Sequence, residues 1–284
     1  MVAPFENICE NSPQSRHLIL MKPHPILLSI LLATAMNSHA AIKSEPVEYK
    51  QGDAALEGWL VYDDSAAGKR PGILVVHDWY GVGDYVKGRA EQLAKLGYVA
   101  FVADIYGKGI QPKDPTEAGA VAGKYKNDRP LVRARMVAAL DILKADPHVD
   151  STRIAAIGYC FGGMGVLELA RSGAAIAGVV TFHGALDTPT PADAKNIKCK
   201  ILVLHGADDP FAPAAQVAAF EDEMRKAGVD YEITLYGGAV HAFTREDSGT
   251  DNTKGVAYNE KADKRSWQAM QDFFAEIFAP VANK

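Results

Sequence analysis

One cysteine lies in a sequence context that is typical of an enzyme nucleophile. Residues 158–163 read Gly-Tyr-Cys-Phe-Gly-Gly, so glycines stand two positions away from Cys160 on either side. An apolar run precedes this motif at 154–157, and a segment compatible with a helix follows it at 164–171. In such a strand–turn–helix the central residue occupies a strained turn, and the glycines give the backbone room to bend. The pattern therefore predicts that Cys160 stands exposed at the C-terminal edge of a sheet.

The same position favours the reactive form of the cysteine. Partial positive charge at a helix N-terminus stabilises a thiolate relative to a thiol. The alternative is a buried structural cysteine in a glycine-rich turn. A disulfide with Cys199 is not expected, because Cys199 precedes the next apolar strand. It would lie at the opposite edge of a parallel sheet, roughly 15 Å away at about 3.3 Å per residue, whereas a disulfide needs Cα atoms within about 7 Å.

A catalytic cysteine needs a base and a group that orients the base, and both follow later in the chain. In α/β-hydrolases the order is nucleophile, acid, histidine, with the last two on loops after later strands. Asp208 and Asp209 follow one predicted strand, and His241 follows the last one. We favour Asp209 as the acid because it lies four residues before Pro213, in a D-x-x-[VA]-P loop. Asp208 would then face solvent or cap the turn.

The choice of His241 among the histidines rests on its placement. It follows the last predicted strand within a glycine-rich loop. His77, His183 and His205 end strands and could simply cap them, and His148 lies in a polar turn typical of the surface.

The negative oxygen formed by thiolate attack requires backbone N–H donors. The residue after the nucleophile supplies one, which here is the amide of Phe161. The second is expected from the loop after the strand at 73–76, and we assign it to Trp79. Together these residues predict an acyl-transfer site centred on Cys160.

Strand-like and helix-like segments alternate along the chain. Strands are predicted at 56–62, 72–77, 99–103, 153–158, 176–182, 200–205 and 231–236, and helices at 84–96, 131–145, 162–172, 213–227 and 262–278. This alternation indicates an α/β fold with a mostly parallel sheet, helices on both faces, and ligands at the C-terminal strand ends. We expect 56–62 to be an edge strand. Two long polar segments, 107–129 and 244–264, should border the mouth of the site.

Residues 1–40 are predicted to be a leader. After Met21 come a lysine, an apolar run at 26–33 and then Ser38-His39-Ala40, the pattern of a secretory signal peptide. The apolar run is too short to span a bilayer permanently, so an N-terminal membrane anchor is the less favoured alternative. We expect translation from Met21, cleavage after Ala40, and a periplasmic or secreted protein.

The remaining chain, residues 41–284, is long enough to form one catalytic domain with a large core. The net charge is −5 and the sequence has no basic patch, which argues against nucleic-acid binding. It contains no metal-ligand cluster or dinucleotide fingerprint, so we expect no cofactor. We expect a monomer that acts on a small-molecule substrate and has no stable membrane span after cleavage of the leader.

These motifs together resemble the dienelactone hydrolase family, α/β-hydrolases that use a cysteine to open enol-lactones such as carboxymethylenebutenolide. The resemblance covers nearly the whole of residues 41–284. The segments that carry it are His77 to Gly81, Asp104 to Gly107, Gly158 to Gly163, Asp209 to Pro213 and His241 to Arg245. The cysteine motif combined with Asp104-Ile105-Tyr106 is fairly specific to this family among α/β-hydrolases.

The resemblance implies the same central roles. Cys160 is implied as the nucleophile, Asp209 and His241 as its triad partners, and the amides of Trp79 and Phe161 as oxyanion donors.

The resemblance also implies residues that contact the thiol or the substrate. Asp78 stands where the family has a glutamate that holds the cysteine. Arg245 stands where the family has an arginine that binds a substrate carboxylate, and Tyr80 is expected to contact the substrate. Arg129 is a candidate for a second family arginine. The alternative for Arg245 is a solvated residue paired with the acidic residues 246–247.

Three departures from the family pattern leave the natural substrate open. Asp78 is one methylene shorter than the family glutamate, and Ala242 replaces a serine common after the family histidine. The third departure is the predicted signal peptide, since the well-studied members are cytoplasmic. The sequence predicts hydrolysis of a small lactone or ester through a thioester. The alternatives are a carboxylesterase or thioesterase with another substrate, and a non-catalytic protein that binds a ligand or senses oxidants.

Cleavage of the leader gives the first testable prediction. Protein recovered from the periplasm should begin at Ala41, because the small residues Ser38 and Ala40 form the cleavage site. N-terminal sequencing checks this. A retained Met21, or a lipid-modified terminus, would contradict it.

Overall fold

The computed structural model describes residues 41–279 of the chain. Within them lie eight strands: β1 (Ile42–Gln51), β2 (Ala54–Asp63), β3 (Arg70–Val76), β4 (Val99–Ala103), β5 (Val149–Tyr159), β6 (Gly178–Phe182), β7 (Lys200–Gly206) and β8 (Tyr231–Tyr236). The α-helices are α1 (Asp84–Lys95), α2 (Pro115–Lys126), α3 (Arg129–Ala145), α4 (Phe161–Arg171), α5 (Ala214–Ala227) and α6 (Glu260–Ile277). Short 3₁₀ helices cover Pro191–Asn196, Glu246–Ser248 and Asn252–Lys254. The predicted leader and its cleavage site lie outside the described residues.

The strands form one sheet in the order β1-β2-β4-β3-β5-β6-β7-β8. From β4 to β8 in this order the neighbours run parallel, whereas β1 and β2 form an antiparallel hairpin that joins β4. Parallel neighbours require crossover connections, and the helices between the strands provide them. The predicted α/β fold with a mostly parallel sheet is therefore confirmed. The C-terminal ends of the parallel strands meet at one edge, where the candidate site residues follow.

Helices pack on both faces of the sheet, and the central strand β3 shows why. Leu74 and Val76 belong to the apolar cluster that includes α3, α4 and α5. Ile73 and Val75 belong to the cluster on the other face, with α1 and α6. All four side chains are fully buried. A strand covered on both faces reads as a continuous apolar run, because neither alternate set of side chains meets water.

A buried ion cluster fixes the helix that begins at the candidate nucleophile. Glu168 of α4 is fully buried and accepts hydrogen bonds from Arg133 Nε (2.8 Å) and Arg171 Nη1 (3.3 Å). Arg171 also donates to Glu223 of α5 at 2.8 Å. Because a buried charge without a partner is strongly destabilising, this cluster restricts α4 to one position against α3 and α5.

The prediction that residues 56–62 form an edge strand is wrong. β2 lies inside the sheet, and β1 covers its outer side along the full length of both strands. β1 was not predicted because its exposed positions carry charged and polar residues and because it contains Pro46. A proline is compatible with an edge strand but weakens the strand pattern in the sequence.

No helix was predicted in the polar segment 107–129, and the structure has helix α2 there. Asp114 caps this helix by accepting hydrogen bonds from the amides of Thr116 and Glu117, and Pro115 occupies its first turn. The buried face of α2 is narrow, since it consists of Ala118, Ala122 and Tyr125. Two alanines and one tyrosine give too weak an apolar periodicity for the sequence to reveal the helix.

Candidate active site

Cys160 follows the last residue of β5 and precedes the first residue of α4, as the motif predicts. Its φ of 52° lies in the left-handed region, which is strained for a non-glycine residue. A side chain at Gly158 would overlap the backbone of Gly162, and one at Gly162 would overlap the backbone of Val76. The two glycines are therefore required for the turn that presents the cysteine.

Three side chains from three different loops form a row. His241 Nε2 lies 3.0 Å from Cys160 Sγ, and His241 Nδ1 donates a hydrogen bond of 2.8 Å to Asp209 Oδ2. Asp209 is the predicted acid, and its alternative Asp208 instead accepts a hydrogen bond from the amide of Gly238. The arrangement places a base beside the sulfur and a carboxylate behind the base, which is the geometry of an activated nucleophile.

Backbone hydrogen bonds hold both partners of the cysteine. The His241 amide donates to Gly255 O (3.1 Å), and the His241 carbonyl accepts from the amide of Ala257 (3.1 Å). Asp209 Oδ1 accepts from the amides of Phe211 (2.8 Å) and Ala212 (3.3 Å), so its other oxygen is turned towards His241. The imidazole therefore has little freedom to leave the row.

Electrostatics in this row favour an ion pair. Burial acts to lower the pKa of His241, but the charge of Cys160 and the hydrogen bonds to Asp209 and Cys160 outweigh burial and raise the pKa to about 10. Burial also opposes ionisation of Asp209, yet the hydrogen bond from His241 holds its pKa below the usual value. At neutral pH the imidazole of His241 is therefore a cation, and it lies between the sulfur of Cys160 and the carboxylate of Asp209.

The raised pKa of His241 has a consequence for stability. Because this pKa exceeds the ordinary value of 6.5, the interactions of the protonated imidazole stabilise the folded chain near and below pH 6.5, as long as Asp209 remains ionised. That contribution is lost as the pH rises through about 10.

Cys160 and His241 line a cavity of about 440 Å³. Aromatic side chains form much of its wall, namely Trp79, Tyr80, Phe161 and Phe211. The two long polar segments contribute Pro115, Lys126, Arg245, Asp247, Ser248 and Val256. The prediction that these segments border the mouth of the site is therefore confirmed.

The predicted oxyanion donors belong to residues that line the same cavity. Among residues 41–279, the amides of Trp79 and Phe161 donate no hydrogen bond to a protein acceptor. Both N–H groups therefore remain available to an oxygen near Cys160. Preorganised backbone donors of this kind stabilise the negative charge that develops in acyl transfer.

Asp78 and Arg245, which were predicted separately, form an ion pair. Arg245 Nη1 donates to Asp78 Oδ2, and Arg245 Nε donates to Asp247 Oδ1 at 2.9 Å. The other Asp78 oxygen accepts from the amide of Tyr80 at 2.8 Å. The guanidinium also lies over the rings of Tyr80 and Tyr85, at 5.4 and 4.8 Å from their centroids. The carboxylate of Asp78 is thus engaged by Arg245 and Tyr80, while the sulfur of Cys160 contacts His241.

His77, His205 and Arg129 do not line the cavity. His77 and His205 are buried at strand ends, where the Nε2 atom of His77 accepts from the Ile105 amide and that of His205 bonds to the Ala212 carbonyl. Arg129 is buried against Asp187 at 3.3 Å and does not line the cavity.

Lys126 and Phe211 are among the lining residues that sequence analysis did not single out. Lys126 ends α2, which the sequence did not reveal, so its position could not be inferred. Phe211 lies in the same loop as Asp209, and its ring centroid is 5.3 Å from that of His241. The D-x-x-[VA]-P pattern could have identified Phe211, because it places this residue two positions after Asp209, in the loop that carries the acid.

No helix within residues 41–279 is long and apolar enough to cross a membrane. The same residues contain no group of three or more histidine, cysteine or acidic side chains suited to a metal ion.

Comparison with known proteins identifies the family. The model of the dienelactone hydrolase family matches residues 56–278. This chain belongs to the dienelactone hydrolase family. The fold and the family named from the sequence motifs are therefore confirmed, and the chain is a member of a hydrolase family.

Three relatives show the range of similarity within and around the family. A solved structure of a dienelactone hydrolase-like promiscuous phosphotriesterase from metagenomic libraries has a TM-score of 0.80 and 40% identity, covering 85% of this chain and all of that one. A probable 2-oxo-3-(5-oxofuran-2-ylidene)propanoate lactonase from a Bradyrhizobium species is 30% identical over 186 residues, 62% of this chain and 74% of the relative. An uncharacterized protein of Caenorhabditis elegans is 37% identical over 153 residues, 52% of this chain and 95% of the relative.

The two cysteines among the described residues should differ sharply in reactivity. Both are free, but burial raises the pKa of the Cys199 thiol to about 11. At pH 7 about one Cys199 in ten thousand is then a thiolate, whereas the imidazolium of His241 favours the thiolate of Cys160. Iodoacetamide should therefore modify Cys160 first, as measured by peptide mass spectrometry over time.

The controls for this prediction are a denatured sample and a variant. In denaturant both cysteines should react, and His241→Gln should slow modification of Cys160 at pH 7 without affecting Cys199. Equal rates for the two cysteines in the folded protein would contradict the electrostatic argument.

Proposed function

We propose that this protein hydrolyses a small lactone or ester through a thioester on Cys160. One observation carries the proposal: the Cys160 sulfur lies 3.0 Å from His241, which in turn donates to Asp209 at 2.8 Å. Membership of a hydrolase family supports the reaction class. The Bradyrhizobium relative is described as a probable lactonase, which supports a lactone as one substrate to test.

In the first half of the proposed reaction, the Cys160 thiolate attacks the acyl carbon. The carbonyl electrons move to the oxygen, whose negative charge is stabilised by the amides of Trp79 and Phe161. The tetrahedral species then collapses, the C–O bond to the leaving oxygen breaks, and the imidazolium of His241 donates its proton to that oxygen. An ester releases an alcohol at this stage, whereas a lactone keeps the new hydroxyl or enol in the same molecule.

In the second half, water cleaves the thioester. Neutral His241 takes a proton from the water, the resulting hydroxide adds to the acyl carbon, and the same two amides again stabilise the oxygen. The C–S bond breaks and the acid leaves, which regenerates the thiolate and the imidazolium. Asp209 stabilises the cation whenever it is present and fixes which imidazole nitrogen faces Cys160.

Two alternatives belong to other classes of substrate or protein. The same residues suit a carboxylesterase or thioesterase with a different acyl group, and the relative that is 40% identical is described as a promiscuous phosphotriesterase. A non-catalytic role would require Cys160 to bind ligands or react with oxidants without turnover.

A substrate panel separates these alternatives. Wild-type protein and Cys160→Ala are assayed on an enol-lactone, a short chromogenic ester, a thioester and a phosphotriester, with and without prior alkylation. The proposal expects turnover of the lactone or ester by the wild type and its loss after either change. Hydrolysis that survives in Cys160→Ala would contradict the mechanism, and no turnover of any substrate would favour the non-catalytic alternative.

We propose further that the protein works in the periplasm or outside the cell. The support is the signal-peptide pattern from Met21 to Ala40 in the sequence.

Arg245 remains our candidate for binding a carboxylate on the substrate, and its contacts suggest how. The guanidinium is shared by Asp78, whose side chain is buried, and by Asp247, whose side chain is 67% exposed. The pair with Asp247 is the weaker one, because solvent screens an exposed ion pair. A substrate carboxylate would therefore replace Asp247 on Arg245 and leave Asp78 in place.

The two aspartates of the acid loop should differ in their effect on turnover. Asp209→Asn removes the carboxylate that stabilises the His241 imidazolium, and in serine-type triads such a change lowers kcat by up to about 10⁴-fold. Asp208→Asn is the matched control and should leave kcat nearly unchanged, since the Asp208 side chain accepts a hydrogen bond from the Gly238 amide and not from His241. Steady-state kinetics on the panel substrate that the wild type hydrolyses fastest measures kcat of both variants. Equal losses in both variants would mean that Asp209 does not act on His241.

Substitutions at Arg245 and Asp247 should have opposite effects on substrates that carry a carboxylate. Arg245→Ala should raise KM for these substrates by about 10- to 100-fold, through loss of a hydrogen bond to a charged group. Asp247→Asn should lower the same KM by up to about fivefold, because a competing surface ion pair is removed. Steady-state kinetics on a carboxylate-bearing lactone and on its neutral methyl ester measures both effects.

The neutral ester is the control for both variants, and its KM should change little. If Asp247→Asn leaves KM for the carboxylate substrate unchanged, substrate does not replace Asp247. If Arg245→Ala affects the neutral and charged substrates equally, Arg245 supports the loop and does not bind the carboxylate.

A further inference from the structure

Backbone strain identifies one more residue at this site. Among residues 41–279, the non-glycine residues with positive φ are Cys160 (52°), His183 (41°) and Ala242 (55°). Cys160 is the proposed nucleophile, and Ala242 directly follows His241. His183 has no role in the proposed reaction. A non-glycine residue in this region is uncommon and is held there by its surroundings, and such residues cluster at functional sites.

His183 directly follows β6. This strand lies between β5, which precedes Cys160, and β7, which precedes Asp209. Its amide donates to Leu204 O at 2.9 Å, and the preceding Phe182 carbonyl accepts from the Cys160 amide at 3.0 Å. The His183 ring packs edge to face against His241, with centroids 5.2 Å apart and planes at 66°. A rigid strand end therefore contacts both the backbone of Cys160 and the ring of His241.

A chain of hydrogen bonds joins His183 to the loop that carries His241. His183 Nε2 lies 2.7 Å from Thr244 Oγ1, which lies 2.6 Å from the hydroxyl of Tyr85 on α1. Arg89 of α1 donates to the Thr244 carbonyl at 2.7 Å. Thr244 is buried and comes three residues after His241. The loop is thus tied to β6 and α1 through a single threonine.

The charges around His183 keep it neutral. The titratable groups that face it are His241, His205, Arg89 and Tyr159, with Tyr85 reached through Thr244. Complete burial holds the pKa of His183 well below its usual value, and the positive charge of His241 acts in the same direction. His183 can therefore pack against the His241 imidazolium without adding a second positive charge.

We propose that His183 is a positioning residue, which holds the His241 imidazole between Cys160 and Asp209 through ring contact and through its hydrogen bond to Thr244. The inference rests on the proposed function only in that His241 is the base. It does not depend on which substrate is hydrolysed. His183 touches no reacting atom, so its effect must be measured through the state of Cys160 and His241.

Two sets of variants test the ring and the hydrogen bond separately. His183→Asn removes the ring but keeps a residue type that tolerates the left-handed backbone. Thr244→Val removes the hydroxyl at nearly constant volume, and Thr244→Ser restores it. His148→Asn is the matched control outside the site, since His148 bonds to Asp146 and stacks on Tyr62.

Two readouts distinguish positioning from folding. The first is kcat and KM per active site, with sites counted by stoichiometric alkylation of Cys160. The second is the rate of Cys160 alkylation as a function of pH, which needs no substrate. His183→Asn and Thr244→Val should lower kcat by about 10- to 100-fold, as expected for a misplaced catalytic group, with KM changed little. Both should also slow alkylation near pH 7, because a displaced imidazolium no longer favours the thiolate.

Thr244→Ser should recover most of the alkylation rate, and His148→Asn should match the wild type. The proposal is overturned if His183→Asn lowers the melting temperature but leaves kcat per active site and the alkylation profile unchanged. If the wild type hydrolyses nothing yet the alkylation profile shifts as expected, the positioning role stands and the proposed function fails.

Discussion

The hydrogen bond between Cys160 Sγ and His241 Nε2 joins residues 81 positions apart, and the rest of the site is arranged around it. A buried imidazole resists a positive charge, so the pair depends on two negative neighbours to outweigh burial. The parallel sheet makes this possible, because β5, β7 and β8 end at the same edge and each delivers one member of the row. The topology of the sheet therefore brings together the residues whose interactions keep His241 protonated.

The site also requires backbone conformations that few residue types adopt. Close approaches at Gly158 and Gly162 leave no room for side chains, and Cys160, His183 and Ala242 adopt left-handed backbone conformations. Such strain is sustained by the rigid core around it, in which the central strand β3 is buried on both faces. The apolar clusters and the buried ions around Glu168 therefore stabilise the fold and also hold the strained backbone at Cys160.

Much of this arrangement could be predicted from the sequence, because apolar strand segments precede Cys160 and Asp209 and an alternating strand precedes His241. The local sequence pattern could not reveal β1 or α2, because few large apolar residues form their buried faces. It also could not reveal that Arg245 contacts Asp78, since that pair spans 167 residues. His183 was seen as a possible strand cap, because nothing in its neighbours indicates the positive φ that turns its ring towards His241. These features depend on tertiary contacts, which override local preference.

The hairpin partner β1 has a consequence for the chain as a whole. It is one of the two edge strands of the sheet formed by residues 41–279, and edge strands with unpaired backbone groups template aggregation in many proteins. Here its exposed positions include Lys43, Glu48 and Lys50, together with Pro46, which offers no N–H to a second strand. Charge and a missing donor along this edge discourage one copy from adding its sheet to another.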